Sequence, residues 1–292
     1  MDERPVTGLL GATSLVGECV IPLLIDDGRQ VFAFSRKAPE CNTEAGLTWL
    51  QPGGTSPDHA ALPQIRDWLC LAPIWVLPDY FPLLERHGAS RVVALSSTSR
   101  FSKMASPDPA ERATAARLAE SEVRFQAWAE SRNIDWIVLR PTLIYGRGRD
   151  KNITEIARFV NRFGFFPLLG KAQGLRQPIH AEDVASACMA ALRVALPVNR
   201  AYNISGGETL PYGEMVSRVF SALQCQPRPV TIPLIIFRLA GALLHLIPGY
   251  RHWSTAMAER MNIDLVFDHT DAIRDLGFSP RPFRLAPEDL PK

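Results

Sequence analysis

Two glycines near the start of the chain have a spacing that can hold a phosphate group. An apolar run, Val6–Leu10, leads into Gly11-Ala12-Thr13-Ser14-Leu15-Val16-Gly17, and a helical pattern follows. In such a strand–turn–helix unit, free backbone N–H groups and the helix dipole attract phosphate oxygens. A side chain at Gly11 would hold the phosphates away, and Gly17 allows tight packing of helix on strand. We therefore expect Gly11, Thr13, Ser14, Leu15, Val16 and Gly17 to bind a dinucleotide pyrophosphate, with Ser14 in place of the usual middle glycine.

The end of the second predicted strand indicates which dinucleotide is preferred. Val31–Ser35 is rich in β-branched and aromatic residues and is followed by Arg36 and Lys37. A site for NAD has an acidic residue here for the ribose hydroxyls, whereas arginine matches a phosphate. Ser35, Arg36 and Lys37 therefore favour NADP(H), and the alternative is that both cations are solvated surface charges.

Short apolar runs alternate with helical patterns through the first half of the chain. We predict strands at Val6–Leu10, Val31–Ser35, Leu47–Leu50, Ile74–Leu77, Arg91–Leu95 and Ile134–Leu139, and helices at Leu15–Asp27 and Ala110–Arg132. This alternation predicts an α/β protein with a Rossmann-type, doubly wound parallel sheet. We assign it to residues 1–140, completed by 181–204, and we assign a smaller, mostly helical C-terminal lobe to 141–180 and 205–292.

Further segments carry a resemblance to a known family. They are Leu95–Ser99, Leu139–Gly146, Pro178–Ala185, Tyr202–Gly207 and Leu276–Phe283. With the glycine turn, their order and spacing resemble an atypical or extended short-chain dehydrogenase/reductase of the NAD-dependent epimerase/dehydratase branch. The resemblance implies that Ser97, Thr98 and Tyr145 lie near the reacting carbonyl. It also adds Leu77, Ser96, Arg117 and Pro141 to the cofactor-binding residues.

The chain departs from that family at its catalytic pair, Tyr-x-x-x-Lys. The residues four positions before the five lysines are Ala33, Ser99, Arg147, Pro167 and Glu288, and none is tyrosine. Arg117 stands where we expect the lysine, but arginine keeps its charge and relays protons poorly. Two interpretations stay open. The protein is an NADP(H)-dependent oxidoreductase, or an epimerase- or dehydratase-like enzyme, acting on a small, partly apolar carbonyl or enone substrate. Alternatively, it binds NADP(H) without catalysis, as a redox sensor, assembly factor or scaffold.

Composition limits the partners that we expect. The 292 residues include 32 basic and 30 acidic ones, a net charge of +2 that gives no reason to expect nucleic acid. Five scattered cysteines argue against a structural metal site and favour a reducing, cytoplasmic compartment. The apolar stretch 231–248 contains Arg238 and His245, so we expect a buried or groove-lining helix rather than a membrane span. Packing of such helices on a second copy, as a homodimer, stays open.

Overall fold

A seven-stranded parallel sheet forms the centre of the first lobe in the computed structural model, which describes residues 4–36, 45–51, 63–195, 199–233 and 259–291. The strands, in chain order, are β1 Val6–Leu10, β2 Gln30–Phe34, β3 Leu47–Leu50, β4 Asp67–Cys70, β5 Arg91–Leu95, β6 Asp135–Pro141, β7 Ile144–Tyr145, β8 Phe166–Leu169, β9 Leu175–Arg176, β10 Ile179–His180, β11 Arg200–Ile204, β12 Leu210–Pro211 and β13 Pro229–Ile232. The α-helices are α1 Leu15–Asp26, α2 Phe81–Arg86, α3 Ser99–Ser102, α4 Pro109–Ser131, α5 Ile153–Phe163, α6 Ala181–Arg193, α7 Tyr212–Ala222 and α8 Thr270–Leu276.

The strand order of this sheet is β3-β2-β1-β4-β5-β6-β11, and every neighbouring pair is parallel. Thr7 of β1 is paired with Val31 on one side and with Asp67 on the other. The direction of winding therefore reverses between β1 and β4, and ligands of doubly wound sheets bind outside the carboxyl ends of the strands at such a point. The α/β, Rossmann-type prediction is confirmed.

Apolar side chains cover both faces of the sheet. On one face α1 and α6 pack together through Val20, Leu24, Val184 and Cys188. On the other face α4 contributes Phe125, and the sheet itself contributes Trp68 and Trp136. Because both faces are buried, the central strands are nearly continuous hydrophobic runs rather than alternating ones.

The second lobe has its own core and more β-structure than we predicted. Its buried side chains include Val160, Phe166, Met215, Phe220 and Phe283. Three two-stranded ladders join its segments: β7 with β10, β8 with β13, and β9 with β12. These strands have two to four residues each, too short for a periodic pattern in the sequence to reveal them.

The predicted strand at Ile74–Leu77 is wrong. Residues Ile74–Tyr80 form a 3₁₀ helix between Pro73 and α2, with Pro78 inside it. The strand lies earlier, at Asp67–Cys70, where it pairs with both β1 and β5. Ile74 and Leu77 are buried, whereas Trp75 and Val76 are half-buried. This spacing of three residues is that of a 3₁₀ helix with one buried side, which explains why the run is apolar.

The other predicted strands and helices of the described residues are confirmed, most with ends shifted by one or two residues. Lys37, most of the Pro-rich sequence 51–63 and most of the apolar stretch 231–248 lie outside the described residues. Within the described ranges, no helix has the length and apolar character needed to cross a bilayer. The same ranges contain no group of three or more His, Cys, Asp or Glu side chains arranged to hold a metal ion.

Candidate functional site

The glycine turn between β1 and α1 is a backbone cradle that excludes side chains. The Ser14 N–H donates to the Gly11 carbonyl at 3.0 Å, and the Ser14 hydroxyl accepts from the Gly17 N–H at 3.0 Å, capping α1. Gly11 has a φ of +81°, and a Cβ there would lie 2.4 Å from the Ala72 nitrogen. A Cβ on Gly17 would lie 2.4 Å from the Ala12 carbonyl oxygen. The N–H groups of Leu15 and Val16, at the start of α1, have no acceptor within the helix, and this arrangement at a helix N-terminus fits a pyrophosphate.

A cleft of about 700 Å³ opens from this turn and passes the carboxyl ends of β4, β5 and β6. Its first-lobe wall is formed by Ser14–Val16, Leu71–Pro73 and Leu95–Ser99, and its second-lobe wall includes Arg149–Asn152, Arg176, Gln177, Tyr212 and Met261. Pro141 and Ile144 also line the cleft. The lining combines apolar side chains with hydroxyl and charged groups, so it suits a ligand that is partly apolar and carries a few polar atoms.

Three hydroxyls after β5, those of Ser96, Ser97 and Thr98, lie at the cleft, and their environments differ. Ser97 is half-buried and accepts from the Ser99 N–H at 3.1 Å, which leaves its own hydrogen for a ligand. Thr98 is buried and donates to the Pro141 carbonyl at 3.2 Å. Ser96 donates to the Glu122 carboxylate at 2.5 Å. Of the three, Ser97 is therefore the hydroxyl best placed to donate into the cleft.

Glu122 organises a buried polar cluster directly behind this hydroxyl row. Its carboxylate accepts from the Arg140 guanidinium at 2.6 and 3.1 Å, and also from Arg100 and Ser96. The cluster connects α4, α3 and the ends of β5 and β6, so it fixes the backbone that carries Ser97. The sequence does carry a signal for Glu122: it is an acidic residue at helical spacing from Leu118 and Phe125, on the apolar and buried face of α4.

Tyr145 does not line the cleft. Its ring is fully buried between His180 and Phe283, with ring centroids 5.1 and 4.9 Å away, and its hydroxyl donates to the Arg284 carbonyl at 3.1 Å. Burial raises the pKa of Tyr145 to about 12. In this position the hydroxyl joins the C-terminal segment to β7, which is a structural role.

Arg117 and Leu77 also lie away from the cleft lining. Arg117 is exposed on α4, and its guanidinium lies 4.8 Å from the centre of the Trp75 ring. Leu77 is buried in the 3₁₀ helix. The cations that do line the cleft, none of which we had selected, are Lys103, Arg149, Lys151, Arg176 and Arg260.

Among these cations, Arg176 is hydrogen-bonded to backbone carbonyl groups. Its guanidinium is buried and donates to the carbonyls of Leu175 at 2.7 Å and Ile263 at 2.8 Å. Burial lowers the pKa of Arg176 to about 10. It therefore shapes the floor of the cleft, whereas Lys103 is half-buried, with its Nζ 3.9 Å from the Glu111 carboxylate.

The residues expected to select NADP(H) lie at the carboxyl end of β2. The Ser35 N–H donates to the Leu50 carbonyl at 2.9 Å, which continues the ladder between β2 and β3. Arg36 follows with an exposed side chain. Lys37 lies outside the described residues. The carboxyl end of β2 neighbours that of β1, so Arg36 is on the same edge of the sheet as the glycine turn.

Buried hydrogen bonds between His180 and Asp289, which we call the clasp, join the loop after β7 to the start of α6 and to the C-terminal segment. His180 caps α6, its Nδ1 accepting from the Glu182 N–H at 3.2 Å, and its Nε2 lies 3.1 Å from Asp289 Oδ1. Asp289 also accepts from the Arg147 N–H at 3.1 Å and the Ala286 N–H at 3.0 Å. Burial raises the pKa of Asp289, but these hydrogen bonds outweigh it and hold that pKa below its usual value.

Comparison with known proteins agrees with this architecture. The model of the NAD dependent epimerase/dehydratase family matches residues 81–205. A curated relative, the NADH dehydrogenase [ubiquinone] 1 alpha subcomplex subunit 9, mitochondrial, of Arabidopsis thaliana, is 27% identical over 216 residues, which are 70% of this chain and 51% of that protein. The chain spans about half the length of the curated relatives it matches.

Solved structures match over nearly the whole chain. The crystal structure of gox2253 superposes with a TM-score of 0.72 at 16% identity, covering 98% of this chain and 96% of that one. MoeE5 in complex with UDP-glucose and NAD superposes with a TM-score of 0.64 at 18% identity, covering 95% and 94%. At these identities the likeness establishes the fold.

Proposed function

We propose that this chain is a member of the NAD-dependent epimerase/dehydratase family, whose model matches residues 81–205, and that it binds NADP(H) along the cleft and acts as an oxidoreductase on a small, partly apolar carbonyl or enone substrate. The observation that carries this proposal is the glycine cradle of Gly11 and Gly17 opening directly into a cleft lined by Ser97. A structural turn has no need of bare N–H groups facing a cavity of ligand size.

The choice of NADP(H) rests on Arg36 and Ser35 at the carboxyl end of β2. In the strand order observed, this end lies beside the glycine turn, where the adenosine ribose of a bound dinucleotide belongs. An exposed guanidinium there matches the 2′-phosphate, while a carboxylate, which the ribose hydroxyls of NAD require, is missing from positions 35 and 36.

For the chemistry, the cofactor would supply a hydride when bound, and this chain must stabilise the substrate oxygen and provide a proton. The Ser97 O–H donates to the carbonyl oxygen, as its position beside the cleft and its free hydrogen support. Lys103, four residues after Ser99 on the same wall, replaces the missing tyrosine as the proton source. The Glu122 cluster keeps the Ser97 backbone in place during the reaction.

A non-catalytic NADP(H)-binding protein is the second candidate. Two observations favour it: no tyrosine precedes a lysine by four positions, and Tyr145 is sealed inside the second lobe. The relative from Arabidopsis thaliana is named as a subunit of an NADH dehydrogenase, so a place in a larger assembly is consistent with the same fold.

A paired titration of the purified protein with NADPH and NADH tests the cofactor assignment. We expect tight binding of NADPH and weaker binding of NADH, followed by the fluorescence of the bound nicotinamide. A set of apolar aldehydes, ketones and enones is then offered to the NADPH complex. Oxidation of the bound nicotinamide that is lost in Lys103→Met and Ser97→Ala, with NADPH affinity kept in both, supports the enzyme.

Two other outcomes separate the candidates. NADPH binding without turnover of any acceptor, and without an effect of Lys103→Met, favours the non-catalytic protein. If neither dinucleotide binds at millimolar concentration, both candidates are wrong, and the glycine cradle has only a structural role.

A further inference from the structure

An ion pair between Arg149, which lines the cleft, and Glu18 of α1 lies beside the glycine turn. Arg149, in the loop after β7, donates through Nη1 to the Glu18 carboxylate, which belongs to the first turn of α1. Arg147 Nη1 lies 3.9 Å from the same carboxylate. The two partners of the main pair are 131 residues apart in sequence and connect the second lobe to the helix that begins at the phosphate cradle.

Glu18 carries a charge that opposes the ligand of this turn. Its carboxylate lies within the first turn of α1, one position after Gly17, and is one-third exposed. A dinucleotide pyrophosphate brings two negative charges to the same helix end. Glu18 is therefore an electrostatic competitor of the pyrophosphate unless a cation neutralises it.

Arg149 has the position and the freedom to neutralise either anion. It lines the cleft together with Ser14, Leu15 and Val16, and just over half of its side chain is exposed. A guanidinium donates two parallel hydrogen bonds to a phosphate as readily as to a carboxylate. The side chain can thus change partner without a change in the backbone.

The backbone that carries Arg149 is fixed by the surrounding residues. Gly146, Arg147 and Gly148 all have left-handed φ values, of 133°, 53° and 58°. The Arg147 N–H is held by Asp289 at 3.1 Å, and the Asp150 carboxylate accepts from the Asn152 N–H at 2.8 Å. Since non-glycine residues adopt positive φ only where the surroundings enforce it, the loop is built to hold Arg149 at this place.

We propose that Arg149 is a cofactor-binding residue that exchanges the Glu18 carboxylate for the pyrophosphate of the dinucleotide. When no dinucleotide is bound, Glu18 holds the Arg149 guanidinium beside the glycine turn. It lowers the affinity for the dinucleotide because it competes with the pyrophosphate for this guanidinium. This inference rests on the proposed binding of NADP(H).

Opposite effects of two substitutions test the exchange. Arg149→Met is expected to weaken NADPH and NADH equally, by about tenfold or more, since both contain the pyrophosphate. Glu18→Gln is expected to tighten both, because the guanidinium is released and a repelling charge is removed. Arg193→Met is the matched control: Arg193 pairs with Asp27 at 2.7 Å at the other end of α1, so its removal leaves both dissociation constants unchanged.

A ligand without a pyrophosphate separates this contact from the rest of the site. Adenosine 2′-monophosphate is expected to bind Arg149→Met as it binds the unaltered protein, whereas Arg36→Asp weakens it. Rising salt is expected to weaken NADPH binding less steeply in Arg149→Met, because one charged contact is gone.

Two results overturn the exchange. One is an unchanged NADPH affinity in Arg149→Met. The other is a weakening in Glu18→Gln that equals that of Arg149→Met, which would mean that the ion pair only holds the loop in place. Failure of the unaltered protein to bind NADPH is a different result, and it overturns the proposed function itself.

Discussion

Ser14 combines a structural role and a proposed binding role in one small side chain. Its hydroxyl accepts from the Gly17 N–H and caps α1, while the residue lines the cleft at the cradle. The neighbouring glycines cannot be altered without damage to the fold, because a Cβ on Gly11 or Gly17 would collide with backbone atoms at 2.4 Å. Ser14 is therefore the position at which binding can be separated from folding.

Replacing Ser14 with aspartate is expected to abolish dinucleotide binding while keeping the protein folded. Aspartate caps a helix as well as serine does, so we expect a change of less than about 0.5 kcal/mol in the free energy of unfolding. Its charge repels the pyrophosphate, and the dissociation constants for NADPH and NADH should both rise more than about tenfold. Urea unfolding and fluorescence titration measure the two effects.

Ser14→Ala is the control, because it removes the cap and adds no charge. It should cost about 1 kcal/mol of stability and leave binding largely intact. If the aspartate variant and the unaltered protein bind the dinucleotides equally well, the pyrophosphate does not bind at this turn.

Arg36 is the residue on which the proposed preference for NADP(H) rests. Its exposed guanidinium follows β2, beside the cradle, and Lys37 lies outside the described residues. Arg36→Asp is expected to weaken NADPH by about 10- to 100-fold, the range of a lost charge-assisted hydrogen bond, and to change NADH by less than about threefold. Parallel titrations with both cofactors measure this, and equal losses would contradict the NADP(H) assignment.

At the scale of elements, the clasp between His180 and Asp289 fixes the positions of α6, the loop after β7 and the C-terminal segment. Asp289 accepts hydrogen bonds from the His180 ring, the Arg147 N–H and the Ala286 N–H. The loop that presents Arg149 depends on this carboxylate, although Asp289 is 140 residues further along the chain than Arg149. Damage to the clasp should therefore alter both stability and the cofactor site.

The clasp predicts a pH-dependent stability difference. Asp289→Asn removes the charge and should lower the free energy of unfolding by about 1.5–3 kcal/mol at pH 7. Since the folded state holds the pKa of Asp289 below its usual value, the carboxylate's contribution is complete above about pH 4 and is lost as the pH falls through the lower folded-state pKa. Urea unfolding at pH 7, 4 and 3 should show the difference between the two proteins shrinking.

Glu288→Gln provides the matched control for this measurement. Glu288 is exposed and directly precedes Asp289, so its loss of charge should change stability by less than about 0.5 kcal/mol at every pH. A constant difference for Asp289→Asn over the whole pH range would show that charge is not what makes the clasp stable.

At the scale of the whole molecule, the chain passes between the two lobes more than once. After β7–β10 it returns to the first lobe as α6 and β11, and after β12, α7 and β13 it returns again as α8. The Arg260 guanidinium, from the second lobe, also binds Glu111 at the start of α4. Because neither lobe is a continuous stretch of chain, we expect them to unfold together.

Calorimetry with and without NADPH tests this coupling. One transition is expected in both scans, and NADPH at 100 times its dissociation constant should stabilise the fold by about 2.7 kcal/mol, raising Tm by about 5–10 °C. The same concentration should stabilise Ser14→Asp by less than about 1.4 kcal/mol, since its dissociation constant is expected to rise more than about tenfold. Two transitions, of which only one moves with NADPH, would mean that the lobes fold independently.

Most of the fold was predictable because its signals are local. The turn Gly11–Gly17 between an apolar strand and a helix, and the lengths of the apolar runs, gave the sheet and its cofactor edge. The misplaced fourth strand marks the limit of this reasoning, because the chain has a short apolar run both at Trp68–Leu71, which overlaps the strand, and at Ile74–Leu77. Only pairing with β1 and β5 distinguishes the strand from the 3₁₀ helix.

Side-chain positions at the site were less predictable, because they depend on contacts between distant parts of the chain. Arg117 and Tyr145 were selected by their place in a motif, yet one packs over Trp75 and the other donates to Arg284. No family motif pointed to Arg149 or Lys103, which became candidates when folding placed them at the cleft, or to Glu122, whose carboxylate meets Ser96 and Arg140 only in the folded chain.

The sequence by itself determined the α/β class, the glycine turn and the absence of a Tyr-x-x-x-Lys pair, since each depends on residues that are near neighbours in the chain. The tertiary structure decided which hydroxyls and cations share the cleft, because partners such as Glu18 and Arg149 meet only after the sheet has assembled. Local propensity fixes elements, whereas side-chain partnerships across more than a hundred residues are fixed by packing.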